Sequence, residues 1–165
     1  MWWGRKPKER LGAGGPQLRE QILTVGPDSL GLGPSGALAN VWAVLMEMGY
    51  PKAVASLVAV ADGGASLYFS NGGGIIGCGE NDDVRPAVFG LLTAAEAHLS
   101  LLTPTRDTPL PEIGRVRFYV RTFGGTLAAE ASEDEISENR HSLGRLYAAG
   151  HRLITAIREA STRPG

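Results

Sequence analysis

Apolar positions along this chain recur with two spacings, and the switches between them divide it into elements. Ser35 is a suitable N-cap after Pro34. Leu38, Val41, Trp42, Leu45 and Met46 follow at helical spacing, with Gly49 and Pro51 as a stop. That pattern predicts a first helix over Gly36–Met48. Ser56–Ala61 is a nearly continuous apolar run and predicts a strand covered on both faces. Asp62-Gly63 is a hairpin signal, after which Ala65–Ser70 runs back. Asn71–Gly74 predicts a second turn, and Ile75–Cys78 either continues the strand or pairs as a short third one.

A second helix is predicted over Val84–Leu102, with apolar positions at Val88, Leu91, Leu92, Ala95, Leu99 and Leu102. Asp83 is its candidate cap, and Pro86 sits in its first turn. Three prolines mark Thr103–Gly114 as a loop. Val116, Phe118 and Val120 alternate with Arg117, Tyr119 and Arg121, which predicts a half-exposed strand with a basic outer face. Gly124-Gly125 turns into a strand over Thr126–Ala131. Ser132 and Glu135 form a capping box for a last helix over Glu133–Glu159, with a seam through Ile136, Leu143, Leu146, Tyr147, Leu153, Ile154 and Ile157. The resulting order is α-β-β-α-β-β-α. An α+β fold (an α/β sandwich) follows, with an antiparallel sheet of about five strands and helices packed on it.

Residues 1–34 have another character. They carry Arg5, Lys6, Lys8, Arg10 and Arg19 among many glycines and prolines, and only Leu18–Val25 could form a short helix or strand. So little apolar surface does not offset the ordering entropy, so a flexible basic arm is expected, followed by one domain over 35–162. Trp2 and Trp3 stand out in that arm, beside its basic residues.

The 165 residues suit a single domain. Sixteen basic and 17 acidic residues nearly cancel, which removes the field that would draw nucleic acid. One cysteine, Cys78, excludes an internal disulfide and fits a reducing compartment. No apolar run is long enough to span a bilayer, and MWWGRKPKER has no apolar segment after its charges. A cytoplasmic location is the expectation.

Candidate chemistry is sparse. Gly72–Gly77 matches G-x-G-x-x-G, but Asp82 and Asp83 follow it and no βαβ unit does, so a hairpin turn explains it better. Cys78 has no histidine near it in sequence, since His98, His141 and His151 all fall on predicted helices. Glu80, Asp82 and Asp83 are too few for a calcium loop and suit a helix N-terminus. Arg115, Arg117, Arg121 and Tyr119 form a basic-aromatic face that the acids of Glu130–Glu138 can pair. No catalytic residue, cofactor or metal ligand emerges.

Three segments together resemble roadblock/dynein light chain-like proteins of the longin and profilin-like group: Ala55–Ala61 with Asp62-Gly63, then Ala65–Ser70, then the helix through Leu91, Leu92 and Ala95. The resemblance spans about residues 36–160, with Thr103–Pro111 as an insertion. It implies a homodimer whose sheets join and whose second helices pack together. It also implies a non-enzymatic scaffold or regulator, in bacteria often of a small Ras-like GTPase. The candidate dimer or partner interface is Val88, Leu91, Leu92, Ala95 and Leu99 with Arg117, Tyr119 and Arg121. Competing readings are a PAS- or GAF-like small-molecule sensor using the Gly72–Gly79 loop, a secretion-chaperone-like dimer, and an enzyme using Cys78.

Overall fold

A computed structural model of the chain describes residues 7–76, 81–138 and 140–162, with side chains from Pro16 onward except at 75 and 76. Helix α1 (Pro7–Thr24) precedes strands β1 (Val41–Gly49), β2 (Val54–Val60), β3 (Ala65–Phe69) and β4 (Gly74–Ile76). Helix α2 (Arg85–Ala97) leads to β5 (Thr103–Pro104), β6 (Arg115–Thr122) and β7 (Gly125–Ser132), and helices α3 (Glu133–Ser137) and α4 (Gly144–Thr162) follow. One seven-stranded sheet has the order β4-β3-β2-β1-β6-β7-β5. Every neighbouring pair in it is antiparallel. The fold is α+β.

The segment expected as the first helix is instead β1, the central strand. It pairs β2 on one side and β6 on the other, with Glu47 opposite both Ser56 and Arg117. All nine of its residues are buried. A strand covered on both faces has no polar side, so its alternation disappears, and a helical subset can be picked from any such run. Ser35 caps no helix and forms a lone bridge with Leu38. Gly49 and Pro51, read as a helix stop, are the last residue of β1 and part of the β1–β2 turn, where the Tyr50 N–H meets the Ala53 carbonyl at 3.0 Å.

The Asp62-Gly63 hairpin forms as expected. Gly63 takes φ +93°, a left-handed conformation that favours glycine, and the Asp62 carboxylate accepts the Gly64 N–H at 2.8 Å. The second helix ends at Ala97 and gives way to a 3-10 turn over Leu99–Leu101. Its N-cap is Val84, not Asp83. The last helix is broken into α3 and α4. His141, in the gap, accepts the Leu143 N–H on Nδ1 at 3.1 Å. The Ser132 cap is present, accepting the Glu135 N–H at 3.5 Å.

Two apolar layers sandwich the sheet. On one face Val44, Met46, Leu57, Phe118 and Val120 pack with α2 and α4, which also pack against each other. On the other, Trp42, Leu45, Val58, Val60, Tyr68 and Tyr119 pack with Leu18, Ile22 and Leu30. Within the segment expected as a flexible arm, Leu18, Ile22 and Leu30 are therefore packed on the sheet. Leu18 and Ile22, one helical turn apart, are fully buried. Each contributes about 1.5–3 kcal/mol by burial. The folded unit thus begins well before Ser35. Trp2, Trp3 and Cys78 lie outside the described residues, as does the 77–80 end of the glycine tract.

Candidate interaction surface

The eight residues expected at an interface fall into two intramolecular layers. Val88, Leu91, Leu92 and Ala95 are fully buried on the inner face of α2, and half-buried Leu99 packs against the same core. Their helical spacing marks this protomer's own interior, as apolar stripes usually do.

Arg117, Tyr119 and Arg121 come together on β6, but under α1 and the proline loop rather than on an open face. Tyr119 is fully buried; its hydroxyl donates to the Pro109 carbonyl at 2.5 Å and accepts from Arg117 Nε at 2.7 Å. Burial pushes the Tyr119 phenol up, against the pull of Arg117 and Arg19. Arg117 also pairs Glu130 at 3.4 Å, and Arg115 pairs the same carboxylate at 3.1 Å. Arg121 lies over the Trp42 ring at 4.7 Å. It donates to the Ile22 and Val25 carbonyls at 3.0 and 2.9 Å, which lie at the end of α1. A cation there complements the helix dipole. Burial lowers the Arg121 pKa.

Sequence reasoning missed the centre of this layer. Glu47, fully buried on β1, accepts two hydrogen bonds from Arg19 Nε and one from Nη2, and one from the Ser56 hydroxyl at 2.6 Å. Arg19 Nη2 also donates to the Thr108 carbonyl at 2.7 Å. Tyr68 and Ser66 complete the layer from β3, and burial raises the Tyr68 phenol far above its ordinary value. A lone acid inside an apolar strand was the available signal, but its partner lies 28 residues away on another element.

Two exposed surfaces among the described residues bear on partner binding. The outer face of α2 exposes Pro86, Gly90, Thr93 and Ala97, opposite the buried stripe, with exposed Leu101 just beyond the helix. None of these is charged. Thr93 turns its hydroxyl back to the Phe89 and Gly90 carbonyls at 2.9 and 3.2 Å. A Cβ on Gly90 would meet nothing within 4 Å, so the protomer's own packing does not require glycine there. The second surface is an open groove of about 640 Å³ between the β1–β2 turn and the proline loop. Tyr50, Leu110 and Ile113 line it and are 41, 50 and 65 % exposed.

Among the described residues no group of three or more His, Cys, Asp or Glu gathers as a metal site. Among them, too, no helix is long and apolar enough to cross a membrane. The histidines are dispersed: His98 follows the end of α2, His141 precedes α4, and His151 lies on α4. Comparison with protein-family models, with curated proteins and with solved structures gives no match to this chain.

Proposed function

We propose that the protein is a non-enzymatic, homodimeric interaction module, built as a platform for a protein partner. The observation that carries this reading is the outer face of α2. Pro86, Gly90, Thr93 and Ala97 make an uncharged stripe of small side chains. Glycine inside a helix costs about 0.5–1 kcal/mol against alanine. At Gly90 nothing among the described residues accounts for that cost. Close approach of a second backbone does, and a symmetric pair sets the same stripe of each copy against the other. The seam is thus the face opposite to Val88, Leu91, Leu92 and Ala95.

The resemblance to roadblock-like platforms supports the same helix as the dimer contact and supplies the partner class, a small Ras-like GTPase. Light scattering on the full chain tests the dimer. A mass of twice the 17.4 kDa protomer is expected, falling to the protomer mass for Gly90→Arg. A monomer in the unsubstituted chain at tens of micromolar overturns it.

A further inference from the structure

A smaller and more closed cavity, of about 250 Å³, lies between the sheet and α4, away from the outer face of α2. Leu67 and Phe69 of β3 and Ile154 of α4 give it apolar walls. Tyr50, His151 and Arg158 give it a polar side. Arg158 is exposed, and its guanidinium enters no hydrogen bond or ion pair among the described residues. The Glu133 carboxylate, which accepts the Tyr50 hydroxyl at 3.3 Å and the Tyr147 hydroxyl at 3.1 Å, makes no ion pair with Arg158. Tyr50 and His151 both lie within the electrostatic reach of Arg158.

A guanidinium with no partner among the described residues, beside an apolar cavity, suits a ligand with an apolar body and a planar anionic head, because the fork of Arg donors matches a carboxylate. The volume falls below the roughly 300–1,000 Å³ of pockets for drug-sized ligands, so the ligand is small. We propose that this cavity binds a short-chain or single-ring carboxylate, its body against Leu67, Phe69 and Ile154 and its carboxylate on Arg158. This site is independent of the dimer seam.

The test is a titration of the full chain with hexanoate and benzoate, and with hexanol and benzyl alcohol as uncharged counterparts, followed by amide NMR. Saturable shifts at Leu67, Phe69 and Ile154 with the carboxylates are expected, with weaker response to the alcohols. Arg158→Met should weaken carboxylate binding about tenfold, the scale of one charge-assisted hydrogen bond, and Arg158→Lys should restore part of it. Absence of saturable shifts overturns the proposal. So does carboxylate affinity that is unchanged in Arg158→Met or no greater than that of the alcohols. A monomeric chain that still binds carboxylate this way would sink the dimer reading alone.

Discussion

Arg19 and Glu47 lock α1 to the central strand: Arg19 Nε lies 2.9 Å from Glu47 Oε2, and its Nη2 lies 2.9 Å from Oε1. The glutamate side chain is fully buried and the arginine side chain 17 % exposed. Removing one partner of a buried pair leaves the other charge without compensation and costs about 3–5 kcal/mol. Because Arg19 retains some solvent contact, Arg19→Met should lose close to the lower figure in urea unfolding. Arg19→Met with Glu47→Gln should recover part of it, since the amide oxygen still accepts from Ser56. Additive losses in the double variant would show that the two side chains are not coupled.

The same pair explains how much of the fold was legible. β2, β3, β6 and β7 could be read because their turns carry local chemistry, such as Asp62-Gly63 and Gly124-Gly125. α2 could be read because one face is buried and the other is not. β1 could not, because burial on both faces removes its period, and Glu47 is tolerated only through partners on other elements, Arg19 of α1 and Ser56 of β2. α1 could not, because Leu18, Ile22 and Arg19 gain their meaning from a sheet face formed far along the chain. The stripe expected at an interface lies inside the protomer for a related reason. Periodicity marks which residues of a helix are alike, but the covering surface decides which side faces inward. The small residues Gly90 and Ala97 carry no hydropathy signal strong enough to identify the other side.

Acid should weaken the fold in two separable steps. Burial works against the Glu96 carboxylate, but hydrogen bonds from the Asn40 side chain and from the Asn40 and Val41 N–H groups outweigh it and lower its pKa from 4.5. Its contribution is therefore present above that value and lost as pH falls through the folded pKa. His151 is held below its ordinary 6.5 by burial and by Arg158, against the pull of Glu133. The unfolded chain takes up that proton first, so stability also drops as pH falls below 6.5, until the folded histidine protonates. Urea midpoints measured from pH 8 to pH 3 check both. His151→Phe should flatten the upper step, and Glu96→Gln the lower one. A midpoint that rises between pH 6.5 and pH 5 in the unsubstituted chain would contradict the assignment for His151.

Two helix glycines should respond oppositely to alanine. On α4, a Cβ at Gly150 would sit 2.5 Å from the Met46 sulfur and 2.6 Å from its methyl, so the end of that fully buried side chain must move within a packed core. Overpacking of this kind costs about 1–3 kcal/mol, more than the helical preference for alanine returns. Gly150→Ala should lower the thermal midpoint. Gly90→Ala, at a concentration low enough to keep protomers apart, should raise stability by about 0.5–1 kcal/mol, since nothing stands near its Cβ. Equal effects at the two positions would mean that Met46 repacks freely.

A chain that starts at Ser35 should not behave as an isolated domain. It loses Leu18, Ile22 and Leu30, all buried, and leaves Trp42, Leu45, Val58 and Tyr119 without cover. At about 1.5–3 kcal/mol per buried anchor, together with the uncompensated Glu47, the loss rivals the roughly 5–15 kcal/mol margin of a typical domain. Far-UV circular dichroism, urea unfolding and binding of a hydrophobic dye should show a destabilised, dye-binding species. A midpoint equal to that of the full chain would show that α1 contributes nothing to the fold. The bared face would also self-associate, because an exposed apolar patch of that kind finds a partner in another copy. An increase in mass on truncation would therefore report this face and not the α2 seam, and the two are separated by Gly90→Arg. In the full chain that substitution should abolish the dimer, while in the truncated chain it should leave the association intact.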